Sequence, residues 1–86
     1  MSKPRKNPIG SRNIVGAKVA SLRKEKRIKQ KDMVAMLQSE GMDISETTMS
    51  RLEGQTRLVQ DFEIPILAKV LGVSVEWLLE QDEGDK

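Results

Sequence analysis

The chain is predicted to be an all-α protein made of five short helices. Apolar residues recur at helical spacing, as Val15, Val19 and Leu22 do, and this spacing places them on one helix face. The segments on either side of Gly41 do not alternate between apolar and polar residues as strands do. The length of 86 residues, of which 37% are hydrophobic, suits one small domain with a modest core.

The folded domain is predicted to span residues 13–80, with a segment of different composition at each end. Two prolines and a glycine between Lys and Arg residues predict that residues 1–12 form a flexible cationic arm. The last six residues, QDEGDK at 81–86, are too polar to fold alone and are predicted to form an acidic tail.

The first three helices follow from apolar spacing and from residues that begin or end helices. The first helix is expected over residues 13–26, with Ile28 packing just after it. Gly41 is expected to end the second helix, and Ser45 to cap the third, because a Ser hydroxyl can accept hydrogen bonds from the free amides of a first turn. The residues expected to face the core are Met33, Met36 and Leu37 in the second helix and Met49 and Leu52 in the third.

Two further helices are predicted before the tail. Asp61 is expected to cap the fourth helix, and Pro65 is acceptable only in its first turn. Gly72 is expected to end this helix, and Ser74 to cap a fifth helix over residues 75–81. The residues expected to face the core are Ile64, Leu67, Ala68 and Leu71 in the fourth helix and Trp77 and Leu78 in the fifth.

The third helix is predicted to present a compact polar face to a partner. At about a hundred degrees per residue, its apolar residues point inward, and four polar residues gather on the opposite side. These residues are Glu46, Thr47, Ser50 and Arg51. A face of this kind suits the reading of a nucleic-acid groove.

The formal net charge of +2 combines two segments of opposite charge. Residues 1–31 contain eleven Lys or Arg and one acidic residue, Glu25, whereas residues 32–86 contain four basic and twelve acidic residues. A basic segment attracts phosphate backbones through counterion release, and an acidic remainder keeps the other surfaces off the same polymer. The alternative explanation is a soluble helix with ordinary exposed lysines.

The composition argues against an enzyme and against a membrane protein. The chain has no Cys and no His, so it lacks disulfides, the commonest metal ligands and the usual general base. It contains neither GxxxxGK nor GxGxxG, and no small-molecule ligand, metal or cofactor is expected. No apolar run approaches the length of a membrane span, and the basic N-terminus lacks the apolar core of a signal peptide. We therefore expect a cytoplasmic protein.

Three stretches in order, LRKEKRIKQ, ISETTMSRLEG and VQDFEIPILAKVLGVSVEWLLE, closely resemble the lambdoid phage repressor and Cro family of helix-turn-helix proteins, often called the Xre family. The resemblance covers roughly residues 14–80. The combination of Arg23, Gln30, Glu53 and LGVSVEWLL is far more specific than any single helix-turn-helix segment. The resemblance implies a five-helix lambda-repressor-like domain that docks on DNA as a dimer, with residues 46–54 as a recognition helix in the major groove.

The resemblance also implies which residues of the third helix contact DNA. Arg51 can fork onto guanine O6 and N7, and Thr47 can touch a thymine methyl or accept from a base. Ser45 and Ser50 are expected to contact phosphates or base edges. Glu46 either accepts from cytosine N4 or only favours the positive end of its helix, and the sequence leaves both roles open.

Residues outside the third helix are also assigned by the resemblance. Gln30 is expected to contact phosphate and to brace the recognition helix, against the alternative of an ordinary surface Gln. Arg57 is expected to contact the DNA backbone from the loop after that helix, against the alternative of a solvated charge. Arg23 and Glu53 are expected to form a partly buried ion pair with a structural role.

The chain departs from the family in the connections around its second helix. Arg27 stands where the family often has Gly, and Lys29 stands where Thr or Ser usually caps the helix. The stretch LQSEGMDIS is several residues longer than the shortest family turns, which predicts about one more helical turn before Gly41.

These observations predict a sequence-specific regulator, most simply a repressor that works by occupying a double-stranded DNA operator. The alternative is an antitoxin-like or adaptor protein on the same fold, whose main partner is another protein. Homodimerisation on DNA is expected through apolar residues that the core does not need, although these residues could instead complete the core. They are Leu58, Val59, Val75 and Leu79.

Overall fold

The computed structural model describes residues 12–80, and this range contains five α-helices and no β-strand. The helices are α1 (Gly16–Glu25), α2 (Gln30–Ser39), α3 (Glu46–Glu53), α4 (Glu63–Leu71) and α5 (Val75–Leu79). The all-α prediction is confirmed. The predicted arm, apart from Arg12, and the predicted tail lie outside the described residues. No helix within residues 12–80 is long and apolar enough to cross a membrane.

One aliphatic core joins all five helices. The helix α3 packs against α1 and α2, and α4 packs against α1, α2 and α5. Buried Val, Leu, Ile, Met and Ala side chains fill the space between them, and no aromatic ring is among them. The core residues are Val15, Val19, Met33, Val34, Leu37, Met42, Ile44, Met49, Leu52, Leu67, Ala68, Leu71 and Leu78.

Two residues predicted to face the core do not do so. Met36 is 40% exposed, because the buried arc of α2 runs from Met33 and Leu37 toward Val34 rather than toward Met36. Trp77 is 37% exposed, because the short helix α5 buries the neighbouring Leu78 instead. These two predictions were wrong, whereas Ile64 packs partly buried against the core as expected.

Several predicted helix ends are confirmed. The Ser45 hydroxyl accepts from the Thr48 amide at 3.3 Å, and Thr48 Oγ1 accepts from the Ser45 amide at 2.7 Å, which forms a capping box at the start of α3. The Ser74 hydroxyl accepts from the Trp77 amide at 3.0 Å at the start of α5. Gly72 follows α4 with φ of +74°, a backbone conformation that favours glycine.

The start of α4 departs from expectation, and the connection before α2 contains a residue with positive φ. Asp61 does not cap α4, because Phe62 is the N-cap residue and makes no side-chain cap hydrogen bond. Instead, the carboxylate of Glu63, the first residue of α4, accepts a hydrogen bond from the backbone N–H of Gln60 at 3.0 Å. Arg27 adopts φ of +61°, a conformation that favours glycine and that residues with a Cβ atom rarely adopt.

Candidate nucleic-acid interface

The outward face of α3 is free of the packing that fixes its inner face. Glu46, Thr47, Ser50 and Arg51 are exposed, whereas Met49 and Leu52 are fully buried. The Arg51 guanidinium has no hydrogen-bond or ion-pair partner among residues 12–80. This part of α3 therefore offers a cation and short polar side chains to solvent, as the spacing predicts.

Gln30 connects the first turn of α2 to the polar side of α3. Its Nε2 donates to Glu53 Oε1 at 3.1 Å, and its Oε1 accepts from the Ser50 hydroxyl at 3.2 Å. Ser50 and Glu53 lie three residues apart on α3, so one amide holds two points along that helix. The predicted bracing of α3 by Gln30 is confirmed.

An ion pair fixes α3 to α1 through the same Glu53 carboxylate. Arg23 Nε donates to Glu53 Oε2 at 2.6 Å, and Arg23 Nη2 donates to Glu53 Oε1 at 3.1 Å. Arg23 Nη1 also donates to the Ile28 carbonyl at 2.8 Å, which ties the connection between α1 and α2 to the same group. The two side chains are 10% and 9% exposed, so the predicted partly buried pair is confirmed.

Arg57, in the loop after α3, is held by an ion pair rather than solvated. Its Nη1 and Nη2 each donate to one carboxylate oxygen of Glu63 at 3.0 Å, and Nη1 also donates to the Leu58 carbonyl. Burial alone would raise the pKa of Glu63. The hydrogen bonds from Arg57 and from the Gln60 backbone N–H, together with the charge of Arg57, outweigh burial, so the pKa of Glu63 is lowered. The expected contact of Arg57 with a DNA backbone stays a prediction.

Five exposed cations lie between the last turn of α1 and the first turn of α2. None of them belongs to an ion pair within the described range, where four salt bridges involve other residues. Gln30, which stands beside two of these cations in the sequence, reaches Ser50 on α3 with its side chain. The cations are Lys24, Lys26, Arg27, Lys29 and Lys31.

Ser45 has its hydroxyl engaged within the helix start. The hydroxyl accepts from the Thr48 amide and lies 3.1 Å from Thr48 Oγ1. A phosphate bound by the Ser45 hydroxyl would therefore share this hydroxyl with Thr48. Glu46 stands in that first turn, where a carboxylate favours the positive helix end.

Residues that the sequence did not single out hold the start of α1 against the end of α3. Asn13 Nδ2 donates to the carbonyls of Leu52 and Arg57, and Asn13 Oδ1 accepts from the Gly16 amide. A Cβ atom at Gly16 would lie 2.0 Å from the Leu52 carbonyl oxygen, so only glycine allows this approach. Gln55 donates to the Asn13 carbonyl at 3.0 Å. A glycine inside a predicted helix was the only local signal of this contact.

The residues predicted for dimerisation fall into two groups. Val59 and Val75 are partly buried against the core, which agrees with the alternative that they complete it. Leu58 and Leu79 are 64% and 42% exposed. Leu79 also lines an open groove of about 330 Å³ together with Ile14, Val15, Val59 and Ile64. Leu58, Phe62 and Leu79 each expose an apolar side chain, and the three residues are grouped below under the name apolar patch.

In comparison with known proteins, the chain matches no family model, no curated protein and no solved structure.

Proposed function

We propose that the chain is a sequence-specific regulator that binds double-stranded DNA, with α2 and α3 as a helix-turn-helix of the Xre type. The observation that carries the proposal is the fixed presentation of α3. Arg23 holds its last residue, Glu53, from α1, and Gln30 holds both Glu53 and Ser50 from α2. A rigid helix with a solvent-facing polar side is what reading a major groove requires.

The side chains on that face supply the chemistry of base recognition. Arg51 is exposed and has no partner within residues 12–80, so its guanidinium can reach guanine O6 and N7 together. Thr47 lies one turn away and can contact a thymine methyl or accept from a base. Ser45 and Ser50 would contact phosphates or base edges, and Glu46 either meets cytosine N4 or only stabilises its helix end.

The charge distribution supports phosphate binding beside α3. Five exposed cations lie between residues 24 and 31, on either side of Gln30 in the sequence, and the second amide hydrogen of Gln30 can donate to a phosphate. The arm adds further cations in the sequence. Counterion release from such contacts supplies affinity that does not depend on sequence, while α3 supplies the selectivity.

Arg57 fits the proposal as a residue that would exchange partners. Its guanidinium already has a carboxylate partner in Glu63, so a phosphate would share or replace that partner. Its contribution to affinity is therefore expected to be smaller than that of an unpaired cation.

The regulator would act as a repressor by occupying its operator, as a homodimer on DNA and in the cytoplasm, without metal or cofactor. The apolar patch is the surface proposed for the second copy, because Leu58, Phe62 and Leu79 expose apolar side chains outside the α3 face. The same patch supports a second candidate function, an antitoxin-like or adaptor protein that uses it to grip another protein.

A selection from random duplexes tests the proposal. The full chain is incubated with random-sequence DNA, and bound molecules are sequenced over several rounds. We expect a near-palindromic motif with half-sites about one DNA turn, roughly 34 Å, apart. Binding to it should weaken by several logs over a few-fold rise in salt when about six or more phosphates are neutralised. The absence of any enriched motif would favour the adaptor function.

A further inference from the structure

Two glutamine side chains of α2 hold α3 and its start at separate points. Gln30, the first residue of α2, bonds to Ser50 and Glu53 in the second half of α3. Near the other end of α2, Gln38 Nε2 donates to the Ile44 carbonyl at 2.7 Å, two residues before α3 begins. The two glutamines stand eight residues apart, which is about 12 Å along a helix, so each acts on a different end of α3.

The first turn of α3 contains no fully buried side chain. Residues 45–47 are exposed, and the first buried residue of the helix is Met49. The capping box lies within this turn, so its hydrogen bonds do not attach the turn to another helix. Within residues 12–80, the side chain of Gln38 makes the only hydrogen bond from another helix to residues 44–48.

The connection that carries this bond is itself fixed to α2 and to the core. Gly41 has φ of +95°, and its backbone N–H donates to the Gln38 carbonyl at 3.0 Å. The backbone N–H of Met42 donates to the Leu37 carbonyl at 3.0 Å, which completes the motif that folds the chain back after a helix-ending glycine. Met42 and Ile44 are buried. The Gln38 side chain therefore joins a fixed helix end to a fixed carbonyl.

We propose that Gln38 positions the first turn of α3 and thereby sets the base preference of Thr47. The inference rests on the proposed function and names Gln38 as a positioning residue that touches no base itself. The pair of Arg23 with Glu53 holds the other end of α3, which carries Arg51. Loss of the Gln38 bond therefore frees the first turn and leaves Arg51 in place.

The placement of Thr47 matters because recognition of a base tolerates displacements of only about 0.5 Å. Thr47 has a short side chain with one hydroxyl and one methyl, so it cannot follow a base when its backbone moves, as the long side chain of Arg51 can. Thr47 also lies only three residues after the carbonyl of Ile44 that Gln38 holds, whereas Arg51 lies seven residues after it. The two base contacts should thus respond differently to Gln38.

Base preference in the full chain tests the inference. It is measured as the Kd for a duplex with one changed base pair divided by the Kd for the selected duplex. Thr47→Ala and Arg51→Ala identify the base pair that each residue reads. Gln38→Met removes the donor and keeps the length of the side chain. We expect it to lower the preference at the base pair of Thr47 about two- to fivefold and to leave that of Arg51 unchanged.

Three further variants make the test specific. Gln38→Met combined with Thr47→Ala should lose no more preference than Thr47→Ala alone, because the contact that Gln38 positions is already gone. Gln38→Lys restores a donor and should restore the preference. Ser39→Ala is the matched control, since the Ser39 hydroxyl donates to the Met36 carbonyl of its own helix, and it should change neither preference.

The other outcomes overturn the inference in distinguishable ways. Equal losses at both base pairs, with a lowered Tm, would show that Gln38 acts only through the fold. An unchanged preference in Gln38→Met, or no recovery in Gln38→Lys, would show that the donated bond does not place Thr47. A Thr47→Ala variant with every preference intact would remove Thr47 from base reading, while Arg51 stands. An unmodified chain that enriches no motif would refute the proposed function itself. Gln38→Ala replaces Gln38→Met if that variant does not fold.

Discussion

The guanidinium of Arg23 donates to both carboxylate oxygens of Glu53, through Nε at 2.6 Å and Nη2 at 3.1 Å. The two residues lie 30 positions apart, so the pair joins α1 to the last residue of α3. Because both side chains are about nine-tenths buried, each charge depends on the other for compensation.

Removal of Glu53 should therefore destabilise the fold. In Glu53→Ala the Arg23 guanidinium is left buried without its counter-charge, and Gln30 loses its acceptor. We expect the free energy of unfolding in urea to fall by about 3 kcal/mol. Glu40→Ala is the matched control, because Glu40 pairs with the largely exposed Lys69 and should cost less than about 1 kcal/mol. Equal effects of the two substitutions would mean that the buried pair does not hold α3.

The close approach of α1 and α3 at Gly16 gives a second prediction. An added Cβ atom would lie 2.0 Å from the Leu52 carbonyl oxygen, so Gly16→Ala must push the helices apart. We expect a loss of about 2 kcal/mol in unfolding free energy, measured by thermal or urea unfolding. Gly54→Ala is the control, since its nearest contact would be at 3.3 Å and its φ of −83° is ordinary. A Gly16→Ala variant as stable as the parent would contradict the observed helix separation.

The Glu63 and Arg57 pair predicts a dependence of stability on pH. The pKa of Glu63 is lowered in the folded chain from its ordinary value of 4.5. A lowered pKa means that the pair stabilises the fold above pH 4.5, and that this contribution is lost as the pH falls through the folded pKa. The stability gap between the parent and Glu63→Gln should thus be constant near neutral pH and should close in acid.

A titration of Arg57→Gln checks the cause of that shift. Burial of Glu63 remains in this variant, but the cation and its hydrogen bonds are gone, so the Glu63 pKa should rise above that of the parent. Carboxylate titration by NMR measures the change. A Glu63 pKa that stays low without Arg57 would show that the hydrogen bond from the Gln60 backbone N–H, rather than Arg57, lowers it.

The apolar patch predicts cooperative binding to a palindromic site. Leu58→Glu or Leu79→Glu should weaken the binding of the second copy to the operator, because each substitution puts a charge into the proposed contact between the two copies. The stability of the monomer should stay nearly unchanged, because both positions are exposed. Stoichiometry and cooperativity on a mapped operator are the measurements. Met36→Glu is the matched control, since Met36 is similarly exposed but lies on α2. One chain per operator in the parent would refute the dimer.

Apolar spacing and capping residues predicted all five helices, although the first begins at Gly16 rather than at residue 13 and the fifth ends at Leu79 rather than at residue 81. The hydroxyls of Ser45 and Ser74 cap α3 and α5, and Gly72 ends α4, because each acts on backbone groups a few residues away. The same local reasoning was wrong for Asp61, which was predicted to cap α4. Phe62 is the N-cap residue, and the carboxylate of Glu63 accepts a hydrogen bond from the backbone N–H of Gln60.

Contacts between distant residues could not be derived from spacing. The pair of Arg23 with Glu53 was predicted only through the family resemblance. Nothing in the sequence marked Asn13 and Gln55, because their hydrogen bond joins positions 42 apart. Met36 and Trp77 were misplaced for a related reason: which neighbouring side chain a short helix buries depends on the angle at which it packs.

The most direct test of DNA reading by α3 is the binding of Arg51→Ala to the selected duplex and to its single-base variants. Lys69→Ala is the control, since it removes the same charge from an exposed site on α4. We expect Arg51→Ala to cost about 1 to 3 kcal/mol at the selected site and to abolish the preference at one base pair in each half-site, with an unchanged Tm. Lys69→Ala should keep every base preference. An Arg51→Ala variant that keeps the full base preference of the parent would contradict the assignment of α3 as the DNA-reading helix.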